Sequence, residues 1–257
     1  MDFSKTSALV TGASRGLGAA LARGLGARGA RVVLVGRTRE PLERIEREIR
    51  RAGGEAHAIV ADIADKHAIY PLAATAAELV GPIDLLIHNA SSLGPVPLRL
   101  LLDTECEDLE QVLQVNVIGP FRLSRAIAGS MALRRHGTIA HVSSDAAENA
   151  YPRWGAYGLS KAALDHQARL WAAELEPVGV KSFAFDPGEM DTVMHQDAMP
   201  DADPSTLAQP EVVAERLLSL LEHDAIESGS RFNLERLFES STARAGSTTT
   251  VAARSDS

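Results

Sequence analysis

Six short apolar runs punctuate the chain, and each ends in small or polar residues: SALVTG (7–12), RVVLVGR (31–37), AHAIVADI (56–63), IDLLIHNAS (83–91), GTIAHVSS (137–144) and VKSFAFDPG (180–188). Unalternated runs of this length suit strands buried on both faces, the condition of a parallel sheet covered by helices. The intervening stretches 16–29, 38–52, 65–80, 105–134, 157–176 and 211–222 read as helices, the first with Leu17, Leu21 and Leu25 at four-residue spacing. Strand and helix alternate repeatedly. That order predicts an α/β, doubly wound fold with its ligand crevice beyond the carboxyl ends of the strands.

A chain of 257 residues, 45% of them hydrophobic, has enough apolar material for one large core. The expectation is a single Rossmann-type domain over residues 1–239, with a parallel sheet of about seven strands flanked by helices. Residues 240–257 are rich in Ser and Thr and poor in bulky apolar side chains, so a flexible tail is expected there. The formal net charge is −8, and no Lys/Arg cluster is interleaved with aromatics, which argues against nucleic acid as a partner. Arg44, Arg47, Arg50 and Arg51 are mixed with Glu43, Glu46 and Glu48, as on a solvated helix face. Cys106, the single cysteine, has no companions at metal-ligand spacing, so no metal is expected. The N-terminus has no apolar leader segment and no apolar run reaches about 18 residues, so a cytoplasmic protein without a membrane partner is expected.

TGASRGLG, residues 11–18, follows the first strand and opens the first helix, with Gly12, Gly16 and Gly18 among Ser14, Arg15 and Leu17. Small residues let backbone approach a pyrophosphate, and a helix N-terminus offers free N–H groups. The second strand ends in Gly36-Arg37-Thr38, where an NAD site offers a carboxylate to the adenosine ribose. Gly36 supplies none. Arg37 and Arg15 instead suit a 2′-phosphate, which favours NADP(H) over NAD(H), although two exposed loop arginines also explain the pattern. Asp62, with the Ile63 backbone beside it, suits the adenine amino group, or else caps the helix 65–80. Asn89 reads as a brace beneath the cofactor or as a turn residue.

YGLSK, residues 157–161, puts Tyr157 and Lys161 one helical turn apart. A solvated pair explains this spacing. So does acid–base chemistry, because a nearby ammonium stabilises phenolate and lowers a tyrosine from its usual value of about 10. Ser143 and Ser144 close the fifth strand, thirteen positions before the tyrosine.

The glycine turn, Asn89, Asn116, Ser144 and Tyr-x-x-x-Lys, in this order and over roughly residues 5–235, resemble the short-chain dehydrogenase/reductase family. The resemblance implies that Tyr157 is the general acid in carbonyl reduction, that Lys161 lowers its pKa and holds the nicotinamide ribose, and that Ser144 hydrogen-bonds the substrate oxygen. It implies that Asn116 holds a water linking Lys161 to solvent, although a buried Asn also simply satisfies backbone groups. Asn89 and Ala90 would lie beneath the cofactor, and Pro187-Gly188, Met190 and Thr192 against the nicotinamide carboxamide. A turn alone also explains Pro-Gly.

One departure is the HNAS of residues 88–91, where the family has Asn-Asn-Ala-Gly, so His88 and Ser91 put the turn's geometry in question. The segment after Gly188 carries Met190, Val193, Met194 and Met199 and reads as a mobile lid with an adaptable apolar inner face. Leu93, Tyr151 and Trp154 are expected as opposite walls, with Met194 from the lid, around a small carbonyl or alcohol substrate. A homodimer or homotetramer is expected through helices 105–134 and 157–176, with Trp171 and Leu175 facing a partner or buried within the subunit. Two other functions fit the fold: a nucleotide-binding regulatory protein without turnover, for which a broken Ser-Tyr-Lys set is expected, and a nucleotide-sugar epimerase or dehydratase, for which a further substrate domain is expected.

Overall fold

The computed structural model describes residues 1–238. The 240–257 segment lies outside the described residues. Seven parallel strands, β1 (Ser7–Thr11), β2 (Arg31–Gly36), β3 (Glu55–Val60), β4 (Leu85–His88), β5 (Gly137–Val142), β6 (Val180–Asp186) and β7 (Arg231–Asn233), form one sheet in the order β3-β2-β1-β4-β5-β6-β7. The winding reverses between β1 and β4. In such sheets the crevice at that reversal is where ligands bind.

Helices cover both faces. On one, α1 (Gly16–Ala27), α2 (Arg39–Arg51) and the helix Pro210–Glu222 enclose a core that includes Leu21, Leu25, Leu34, Phe185 and Leu217. On the other, α3 (Ile69–Val80) and α5 (Gly119–Arg134) cover Leu9, Val33, Leu86 and Ile139, while α6 (Gly155–Leu175) packs on β6. A wholly buried side chain such as Leu9 or Phe185 contributes roughly 1.5–3 kcal/mol. The strand interiors are therefore fixed, and polar residues gather where the apolar runs stop.

The structure amends the sequence expectations in four places. β3 and β7, at the sheet edges, are only partly buried, because an edge strand has helix cover but no neighbour on one side. β7 belongs to none of the six apolar runs. Residues 65–68 form a turn ahead of α3, and Asp62 accepts from the Ala64 N–H at 2.9 Å within that turn instead of capping the helix. The 105–134 span divides into α4 (Cys106–Leu113), a π-helical turn at Gln114–Ile118, and α5. The wider turn carries Asn116, which is 1% exposed.

Candidate active site

The glycine turn between β1 and α1 is shaped by close backbone approach. Gly12 has φ of 67°, and a Cβ there would lie 2.8 Å from Ala90 Cα, while a Cβ on Gly18 would collide with the Gly12 carbonyl and the Asn89 amide. Asn89 Nδ2 donates to the carbonyls of Thr11 (2.9 Å) and Gly12 (3.1 Å), and Thr11 Oγ1 accepts from the Asn89 and Ala90 N–H groups. The brace expected of Asn89 is therefore made to the turn itself. No side chain caps the N-terminus of α1, so its first N–H groups are unused by side chains. A glycine cradle and uncapped helix end fit a pyrophosphate.

A cavity of about 1270 Å³ runs from this turn across the carboxyl ends of the strands. Gly12, Ser14, Arg15, Gly16 and Leu17 line it beside Arg37, Thr38, Asp62 and Ile63. Farther along it are Asn89, Ala90, Leu93, Ser144, Tyr151, Trp154, Tyr157 and Lys161, then Pro187, Gly188, Met190, Thr192 and Met194. Only Gly18, which packs under the turn, and the buried Asn116 are absent from its wall. The size exceeds the roughly 300–1,000 Å³ of ordinary ligand pockets, leaving room for a dinucleotide and a second molecule.

Among the described residues neither Arg15 nor Arg37 is ion-paired, whereas Arg23, Arg28, Arg39, Arg44, Arg47 and Arg50 all are. Two unneutralised guanidinium groups flank the end of β2. Guanidinium groups donate in a fork that suits an anion such as a phosphate.

At the other end, Tyr157 is 8% exposed and packs with Leu93 and Ala146, against which Trp154, Leu98, Met194 and Ala198 rest. The Trp154 ring meets Tyr157 edge-on at 5.8 Å. Tyr151, 44% exposed, donates its hydroxyl to Asp145 at 2.7 Å, and Ser144 donates to the same carboxyl at 3.1 Å. Of the side chains expected on a lid, Met190 and Met194 pack inward, while Val193 and Met199 are exposed.

Lys161 is buried, and its Nζ donates to the Val142 carbonyl at 2.7 Å. Burial pushes it down to about 8, against the pull of Asp165 and Asp186. Burial also pushes Tyr157 well above its ordinary value, against the opposing influence of the neighbouring Ser144 and Ser91 hydroxyls. Burial outweighs the lowering expected from Lys161, whose ammonium sits 5.4 Å from the ring centroid and gives its hydrogen bond to a carbonyl. The side chain of Asn116 is saturated, with Oδ1 accepting from Ser92 N (2.8 Å) and Ser91 Oγ (3.3 Å) and Nδ2 donating to Ser92 O (2.9 Å) and Ser160 Oγ (2.8 Å). A water near Lys161 would have to use its backbone carbonyl.

The model of the short chain dehydrogenase family matches residues 6–203. The chain belongs to the short-chain dehydrogenase family. It is similar to a short chain dehydrogenase of Pseudocercospora fijiensis, 37% identical over 191 residues that cover 72% of this chain and 60% of that protein. It is 40% identical over 187 residues to the short-chain reductase protein NovJ of Streptomyces niveus, covering 73% of this chain and 70% of NovJ. Among solved structures, a metagenomic short-chain oxidoreductase in complex with NADP superposes with a TM-score of 0.74 at 32% identity, covering 90% of this chain and 96% of that one. A variant of the actinorhodin polyketide ketoreductase with NADPH gives 0.82 at 26%, covering 91% and 97%.

In this short-chain dehydrogenase several neighbours of the site carry no sequence signal of their own. Arg231 of β7 donates to the Ser144 carbonyl (3.0 Å) and to Asp165 (3.2 Å), tying the serine's backbone to α6. Asp165 lies one turn beyond Lys161, a spacing visible in the sequence. Arg231 is not, because its strand is three residues long. His88 is buried, hydrogen-bonded to Ser124 at 2.7 Å and stacked on His141 at 4.9 Å, which makes it a packing residue of this chain's interior and not a group at the cavity. Trp171 stacks on Phe121 at 5.7 Å, and Leu175 packs against the core beneath α3 and α5. No helix among the described residues is long and apolar enough to cross a membrane.

Proposed function

We propose that this protein is an NADP(H)-dependent oxidoreductase that interconverts a small carbonyl compound and its secondary alcohol, with Tyr157 as the general acid or base. The observation that carries this is the meeting of Tyr157, Ser144 and Lys161 at one end of a cavity whose other end has the glycine cradle and two arginines without an ion pair among the described residues. NovJ is a reductase by name, and two structural neighbours hold NADP or NADPH, which supports the same choice.

Gly12, Ser14, Gly16, Leu17 and Gly18 would hold the pyrophosphate, Arg15, Arg37 and Thr38 a 2′-phosphate, and Asp62 and Ile63 the adenine. Asn89, Ala90, Lys161, Pro187, Gly188, Met190 and Thr192 would hold the nicotinamide half. The cofactor, when bound, supplies or takes the hydride. Ser144 holds the substrate oxygen by a hydrogen bond, which stabilises the negative charge that develops there. The Tyr157 phenol, protonated at neutral pH as any tyrosine is, would give its proton to that oxygen as the charge develops. Leu93, Trp154 and Met194 exclude water around the exchange, and Tyr151 borders the open side.

Exposed Phe121, Leu159 and Leu170 on α5 and α6 favour a homodimer or homotetramer through those helices. The function is tested by NADPH and NADH consumption with a panel of ketones, aldehydes, diketones and quinones. NADPH turnover on at least one is expected. NADP(H) binding with no turnover on any, including compounds drawn from metabolite extracts, would favour a regulatory role instead.

A further inference from the structure

Asp145 follows Ser144 in the chain and lines the same cavity as Ser144, Tyr151 and Trp154. Both of its carboxylate oxygens take hydroxyls of that wall, Oδ2 from Tyr151 at 2.7 Å and Oδ1 from Ser144 at 3.1 Å. Among the described residues it has no ion-pair partner. Arg231, which reaches the Ser144 carbonyl, gives its ion pairs to Glu148 and Asp165 instead. An exposed carboxylate without a cation therefore stands in contact with the serine of the site.

We propose that Asp145 is a specificity-determining residue that selects carbonyl compounds with a hydrogen-bond donor, hydroxyl or ammonium, on the carbon next to the carbonyl. In the reverse direction these are vicinal diols and amino alcohols. The inference rests on Ser144 as the residue that holds the substrate oxygen. A hydroxyl has one proton, and the Ser144 oxygen already accepts from the Ala146 N–H at 3.2 Å. To donate to a substrate oxygen, Ser144 must withdraw its proton from Asp145. A carboxylate only accepts, so Oδ1 then lacks a donor beside the reacting carbonyl. Tyr151 cannot replace it, because its single proton is spent on Oδ2. The substrate oxygen and Oδ1 share one neighbour, Ser144 Oγ, so the spacing they ask of a ligand is that of groups on adjacent carbons. A plain ketone presents only carbon to Oδ1. An α-hydroxy ketone presents a donor, and an α-amino ketone also presents the missing cation.

The test uses three matched ligands: a secondary butanol, the vicinal butanediol and the corresponding vicinal amino alcohol. Their oxidation with NADP+ gives kcat/KM, and saturation-transfer NMR on the NADP+-loaded protein gives affinities that need no turnover. The parent is expected to prefer the diol and the amino alcohol over the plain alcohol by roughly tenfold in both readouts, the worth of one hydrogen bond to a charged group. Asp145→Ala should bring both ratios to within about twofold of one. Asp145→Asn, which keeps an acceptor but no charge, should retain the diol preference and lose that for the amino alcohol. The plain alcohol reports any disturbance of Ser144 itself, and the ratios remove it. Equal affinity of the parent for all three ligands, binding of none, or preferences that survive Asp145→Ala would overturn the inference. If the affinities discriminate as expected but nothing turns over, Asp145 keeps its role and the oxidoreductase reading fails; turnover without discrimination refutes Asp145 alone.

Discussion

The Lys161 ammonium lies 5.4 Å from the centroid of the Tyr157 ring and points its hydrogen bond at the Val142 carbonyl. It therefore holds the face of the ring and the end of β5 together. Because burial lowers it to about 8, the charge is present at neutral pH and lost on the alkaline side. Without that charge neither a ribose hydroxyl nor a developing phenolate has its cation. The expected outcome is a kcat/KM for carbonyl reduction that declines with a limb near pH 8, and a profile flat to about pH 10 would contradict it.

Arg37 has no acidic partner among the described residues, so removing it costs no internal ion pair. Arg37→Ala should leave stability unchanged and weaken NADPH binding by roughly tenfold to a hundredfold, the worth of a charge-assisted hydrogen bond. NADH binding should hardly move. Calorimetric titration of both cofactors checks this, and equal losses would show that the arginine does not meet a 2′-phosphate.

His88 and His141 stack inside the sheet, and burial keeps both neutral: His88 well below its usual value and His141 down to about 3. Unfolded, both titrate near 6.5. The unfolded chain therefore binds more protons as pH falls below 6.5, and stability falls with it. Asp165, raised by burial, works in the opposite direction. Urea unfolding should show a loss of roughly 2 kcal/mol between pH 7 and pH 5.5. An unchanged unfolding free energy would mean that the pair accepts protons in place.

The alternation of buried strands and amphipathic helices was legible because a parallel sheet buries its strands on both faces, which leaves unbroken runs such as RVVLVGR and VKSFAFDPG. Tyr157, Lys161 and Ser144 were legible through their order and spacing together with the family resemblance, and the structure does bring them to one cavity. The seventh strand was not, since Arg231-Phe232-Asn233 is short, half-buried and polar at both ends. The π-helical turn at 114–118 was not, because QVNVI keeps an ordinary helical pattern. The direction of the Tyr157 shift depends on burial outweighing neighbouring donors, a balance that no four-residue spacing records.

Tyr157→Phe tests the central claim most directly. The side chain loses one oxygen and keeps its place among Leu93, Ala146 and Trp154, so the fold and the glycine cradle should persist. NADPH affinity and carbonyl turnover are to be measured on the same preparation. The account predicts turnover reduced by roughly a hundredfold to ten-thousandfold with NADPH affinity within about twofold of the parent. Undiminished turnover would contradict it.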